Sequence, residues 1–154
     1  MTTRFFGPGL LKLFNGTCPI ASATFKIMLL DDTYTFNPDH EFVSSVAGDE
    51  LADTSGYAGG FAGAGRKTAT VTVDYDATTD KVRLTVADLT WASFDDGTST
   101  DTCGAAVLIV ESGSDAASHL IAHIDFAADK LCNVDTFTVD FPALAAGGTL
   151  QLAV

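Results

Sequence analysis

Basic side chains are scarce in this chain. Eight Lys and Arg stand against 20 Asp and Glu in 154 residues, a formal net charge of −12 and a pI near 4.2. Binding to a nucleic acid backbone is therefore not expected, because affinity there rests on Lys and Arg displacing counterions from phosphates. Long apolar runs are missing as well. A stretch such as Ala105 to Val110 falls far short of the roughly 20 residues a bilayer needs, so no membrane span is expected. The opening MTTRFFGPGLLKLF carries Gly and Pro inside its apolar stretch, and no small-residue cleavage site follows a long apolar core. Sec export is not expected either.

Cysteine is sparse. Cys18, Cys103 and Cys132 lie too far apart in sequence for a CxxC clip, which argues against zinc. An odd number leaves at least one thiol without an intrachain partner. Two readings stay open: reduced thiols serving as small buried hydrophobes, or a disulfide within or between chains. Cys103, in a Thr- and Asp-rich stretch, is the thiol expected to be exposed.

Catalytic signatures are equally missing. Ser114 in ESGSDA lacks the GxSxG flanks of a nucleophile elbow, and GYAGGFAGAG lacks the Lys-Ser/Thr ending of a phosphate-binding loop. No catalytic residue, cofactor site or metal site is predicted. The one segment where chemistry could hide is HLIAHIDF. Strand parity there puts His119, His123 and Asp125 on one face and Leu120, Ala122, Ile124 and Phe126 on the other. Same-face neighbours on a strand sit about 7 Å apart, whereas metal ligands converge at about 2 Å, so a solvated polar face is expected. At an interface, such histidines would respond to pH between roughly 5 and 7. Asp95, Asp96, Ser99 and Asp101 in DDGTSTD offer hard oxygen ligands around a glycine, but not at EF-hand spacing, and read as an acidic turn. NGT at Asn15 to Thr17 fits the glycosylation pattern and, without an export signal, reads as a turn.

What is present is strand pattern. In TATVTVDYD, Ala69, Val71, Val73 and Tyr75 alternate with Thr and Asp. It runs into KVRLTVADLTW as a hairpin through Ala77 to Asp80. Along the return strand Leu89 and Trp91 have the opposite parity to Val82, Leu84 and Val86, so a bulge is expected near Ala87 or Asp88. AAVLIV is apolar on both faces and reads as a central strand. FTVDF groups Phe137, Val139 and Phe141, and TLQLAV groups Leu150, Leu152 and Val154. Upstream, ATFKIMLL is a strand, and HEFVSSVA, capped by Asp39 and ended by Gly48, is a predicted short helix. Residues 48–66, rich in glycine, form a long loop carrying Tyr57 and Phe61. The first 17 residues read as an apolar arm in which Gly7, Pro8 and Gly9 break structure before a helical turn, LLKLF, ended by Asn15 and Gly16.

Several of these segments, in order, are LLKLFNGT, FKIMLLDDTYTFNPDHEFVSSVAGDE, GYAGG, VDYDATTDKVRLTVADLTW, LIAHIDF and TFTVDF. Together they resemble a family of small tailed-bacteriophage virion structural proteins. That resemblance implies a non-enzymatic virion component, such as a head decoration, cement or fibre-base protein or a neck or collar protein, with no catalytic residues to carry over. The three cysteines depart from the usual pattern and raise a covalently reinforced lattice.

The expected architecture is one all-β domain over residues 1–154, a β-sandwich of jelly-roll or Greek-key type with about eight strands, one or two short helices and an apolar arm at 1–17. The expected subunit contacts are Phe5, Phe6, Leu10, Leu11 and Phe14 of the arm, together with Leu13, and Tyr57 and Phe61 of the loop, because so apolar an arm either covers its own sheet edge or docks on a neighbour. The expected partners are other virion proteins, such as the major capsid or neck and portal-region proteins, and further copies of the chain. Two alternatives are a tail-side ring protein (tube, terminator or baseplate) and a polysaccharide-binding or lyase-like β domain. The latter would need Trp91, Tyr34 and Tyr57 as an exposed stacking platform.

Overall fold

The computed structural model describes residues 1–51, 56–92, 94, 101–142 and 150–153, the last four by backbone alone. Strand is the main regular structure among these residues, with one α-helix, and the fold is all-β. In chain order the elements are β1 (Thr2–Phe5), α1 (Gly7–Phe14), β2 (Phe25–Asp31), β3 (Lys67–Thr68), β4 (Val71–Asp76) and β5 (Lys81–Val86). After them come β6 (Leu89–Ala92), β7 (Thr102–Val110), β8 (His119–Leu131), β9 (Thr136–Val139) and β10 (Leu150–Ala153). They form a five-stranded antiparallel sheet in the order β1-β8-β7-β2-β3, a three-stranded sheet β10-β5-β4 and a two-stranded sheet β6-β9.

AAVLIV lies in β7, the middle strand of the large sheet, where both its faces are buried. One face meets the larger core, in which Ile27, Leu29, Ala106, Leu108 and Ile124 pack against Leu84, Val86, Trp91 and Phe137 of the smaller sheets. The other face, with Met28, Leu30, Val107, Ile109 and Leu120, is covered by Phe6 and by Val43 and Val46, with Tyr34 and Phe36 alongside. So the strand's apolar character on both sides has two separate physical causes.

The N-terminus is part of this body. β1 is an edge strand whose Arg4 pairs with His123 and whose Phe5 pairs with Ala122 of β8. Gly7, Pro8 and Gly9, expected to break structure, instead open α1. A first-turn proline gives up only an N–H that has no helical partner, and a Cβ at position 9 would fall 1.9 Å from the Leu120 carbonyl oxygen, so only glycine lets the helix lie against β8. The predicted helix over HEFVSSVA is replaced by two 3-10 turns, Val43–Ser45 and Ala47–Asp49, and Asp39 caps neither. Here the Val43 and Ser44 amides donate to the carbonyls of Ser118 and Asp115, so tertiary bonds displace the helical ladder. The expected bulge at Ala87 and Asp88 is a change of sheet: β5 ends at Val86, and β6 starts at Leu89 and pairs with β9. That crossing reverses the parity of Leu89 and Trp91.

The described part of the glycine-rich loop is held by Arg66, whose side chain is fully buried. Its guanidinium donates to both oxygens of Glu50, at 2.9 and 2.6 Å, and to both of Asp115, with Glu111 at 4.0 Å. Lys26 of β2 forms an ion pair with Glu111. Glu50 also accepts from the Tyr57 hydroxyl, which itself accepts from the Leu29 amide. Removing one member of such a buried set leaves uncompensated charge, so Arg66→Leu is expected to cost about 3 to 5 kcal/mol. Urea unfolding followed by Trp91 fluorescence reads this directly, and a loss below about 1 kcal/mol would refute a central role for the cation.

Candidate functional site: an apolar surface beside the hairpin

α1 lies across from the β4–β5 hairpin, and between them is an apolar cleft of about 100 Å³ walled by Leu10, Leu13, Phe14, Val73, Val82 and Leu84. The cleft is open to solvent at Phe14, which is 73% exposed, and at Val73, which is 46% exposed. Leu11 and Tyr75 are more than half exposed as well. Alternation explains the strand's share: Ala69 and Val71 reach the core, but the same face then runs past the core's edge at Val73 and Tyr75. Large apolar side chains grouped around a cleft make this a candidate contact surface or ligand groove.

Of the residues expected to make contacts, Leu11, Phe14 and Phe61 are exposed, and Phe5 and Leu10 are half-buried. Phe6 and Tyr57 are completely buried in the chain's own core and offer nothing to a neighbour. Burial raises the pKa of the Tyr57 phenol, and the Glu50 carboxylate adds to the rise. The residues that pattern reading left out are Val73, Tyr75, Val82 and Ile20, which also lines the cleft. The signal was there in the apolar parity of β4, but only the fold shows where the covering layer stops.

The histidines do not form the expected solvated face. The ladder between β7 and β8 slips between Leu108, paired with Ala122, and Ile109, paired with Leu120, leaving Ile121 as the extra residue. His119 is thereby turned away from His123 and Asp125. It pairs with Val110 and lies with its ring 5.1 Å from that of Phe42. His123 is only 4% exposed, and neither ring nitrogen has a hydrogen-bond partner. Its ring packs 5.5 Å from Tyr34 and 5.2 Å from Phe36, and the Arg4 guanidinium stacks over Phe36 and lies 4.0 Å from Asp125. Among the described residues no three His, Cys, Asp or Glu side chains converge as a metal site. Asp95, Asp96 and Ser99 lie outside the described residues, while Asp101 uses its backbone carbonyl to accept from Cys132.

All three cysteines are free and buried. Cys103, expected to be exposed, sits inside β7, because the strand begins at Thr102 and alternation turns the next side chain into the core. Burial pushes its thiol well above the usual range, and the neighbouring Cys132 adds to the effect. No disulfide is formed, and a crosslink through these thiols would require the core to open.

Trp91 is fully buried, its indole N–H donating to the Gly65 carbonyl at 2.7 Å, with Phe94 and Phe137 packed around it. With Tyr57 also buried, two of the three rings of a sugar-stacking platform are inaccessible. Among the described residues no helix is long and apolar enough to cross a membrane. No family model, curated protein or solved structure matches this chain.

Burial drives the pKa of His123 down to about 4, with Asp125 opposing the shift and Arg4 reinforcing it. The unfolded chain takes up this proton near the ordinary pKa of about 6.5, so the neutral buried ring contributes its full stability above that pH. This contribution falls by up to about 3 kcal/mol as pH drops from roughly 6.5 towards 4. Denaturant midpoints across that window are expected to fall more steeply for the native chain than for His123→Phe, and parallel profiles would refute the assignment.

Proposed function

We propose that this chain is a non-enzymatic structural component of a tailed-bacteriophage virion that binds neighbouring subunits. An accessory capsid protein of the decoration, cement or fibre-base kind, or a neck or collar protein, suits it best. The observation that carries this reading is the exposed apolar surface around Phe14 and Val73 on an otherwise strongly acidic chain. Net charge of one sign keeps free subunits soluble and apart, while a local apolar surface supplies adhesion at one place. The order of segments resembling small tailed-phage virion proteins favours the same assignment, and a β-sandwich of jelly-roll or Greek-key type is the finer fold proposed with it. Its partners on this reading are major capsid or neck and portal-region proteins. A tail-side ring protein is the second reading, since the same surface serves subunits closed into a ring.

Deleting residues 1–14 would remove β1 and the core residue Phe6 and is expected to unfold the chain. Phe14→Ser, by contrast, alters an exposed position and should leave the thermal midpoint almost unchanged. Phage particles assembled with a tagged copy are expected to incorporate the native chain and to lose at least about tenfold of it with Phe14→Ser, by quantitative blotting of purified virions. Absence of the native tagged chain from particles would overturn the assignment.

A further inference from the structure

We propose that β4 is a self-pairing edge, joined to β4 of a second copy across a two-fold axis centred on Val73. This deepens the structural reading above by naming one of its contacts, and its test is independent of any particle.

β4 is the last strand of its sheet, and among the described residues no strand lies on its outer side. The hydrogen-bonding sense of that side follows from the ladder. The Ala87 amide donates to the Thr70 carbonyl, which makes 70 with 87 a hydrogen-bonded pair. Alternation from it turns the main-chain groups of Thr72, Asp74 and Asp76 towards β5 and those of Val71, Val73 and Tyr75 outwards. Three consecutive outward residues, unprotected by proline or a bulge, form a template for another strand.

Charge selects the partner and the register. In an antiparallel pair centred on Val73, Val73 meets its own copy and Val71 meets Tyr75. Thr72 faces Asp74 and Thr70 faces Asp76, so each carboxylate meets a hydroxyl. Moving the axis to Asp74 or Tyr75 puts Asp opposite Asp, which is destabilising. Moving it towards the N-terminus brings in Ala69, whose amide already donates to Phe25, and Thr68, which belongs to β3. Only the Val73 axis uses all three outward residues without opposing like charges. The arrangement is closed, because an isologous contact consumes the same edge on both copies. It also sets the half-exposed Val73 against its own copy and Tyr75 against Val71 of the other copy, which adds apolar area to the main-chain bonds.

The full chain should show a reversible monomer–dimer equilibrium by sedimentation velocity at loading concentrations up to about 500 µM. Thr72 is exposed, so changes there leave the monomer intact. Thr72→Asp sets like charges at two symmetric positions and is expected to weaken the dimer about 3- to 10-fold. Thr72→Lys sets opposite charges there and is expected to tighten it by a similar factor. Ser44→Lys, on a remote exposed turn, makes the same charge change and should alter the constant less than twofold. Val73→Pro removes an outward amide that β5 does not use and should abolish dimerisation with the thermal midpoint largely kept. A chain monomeric throughout, or a dimer that both Thr72 variants shift in the same direction or leave unchanged, would overturn the proposal. Incorporation of a strictly monomeric chain into particles would refute the edge contact alone, and a register-sensitive dimer absent from particles would refute the virion assignment alone.

Discussion

The buried guanidinium of Arg66 organises the described turns around Glu50, Tyr57 and Asp115. The segments around Glu50, the described part of the glycine-rich loop and the turn between β7 and β8 are irregular, with no strand ladder among the described residues to hold them to one another. Arg66 gathers them by giving Glu50 and Asp115 two hydrogen bonds each. Glu50 is pinned in turn by its bridge to Leu30 of β2, and Tyr57 ties the same carboxylate to the Leu29 amide. A guanidinium suits this place because its planar fork satisfies two carboxylates at once, where an ammonium would act as a point charge. The loop then presents the Gly65 carbonyl to Trp91, so the ionic set also positions the largest ring of the core.

Above that anchor, the large sheet spends its apolar side chains on both faces and leaves the smaller sheets with a deficit. β5 and β6 reach the core through Leu84, Val86 and Trp91, but the far end of the hairpin extends beyond it. The exposed surface at Val73, Tyr75 and Phe14 is what remains uncovered. An edge strand and a helix with apolar side chains facing water are unfavourable for an isolated subunit and useful for one that is assembled with others.

The histidines show how a one-residue irregularity changes chemistry. An uninterrupted β8 would line up His119, His123 and Asp125, the arrangement that alternation suggests. The slip at Ile121 separates them, sends His123 under Tyr34 and Phe36 and leaves its nitrogens unpaired. A potential polar face becomes a buried ring whose charged form is disfavoured.

The strand-rich class, the central position of AAVLIV, the β4–β5 hairpin, the helical turn at LLKLF and the common face of Phe137, Val139 and Phe141 were legible in the sequence. These follow from side-chain alternation and turn chemistry, which act over a few residues. The arm's apolar excess was legible too, but not which of its side chains face water: Leu11 and Phe14 do, and Phe6 does not. Long-range contacts were needed to show that β1 pairs into the body and that the helical turn at LLKLF already begins at Gly7, that HEFVSSVA gives up its helix, that Cys103 and Trp91 lie inside, and that His119 and His123 part company. Each depends on a partner far away in sequence: Ala122 for Phe5, Ser118 for Val43, Gly65 for Trp91, Leu108 for the slip in β8. Local pattern specifies which way a side chain points along a strand, and the layer it meets there is set by contacts that no short window contains.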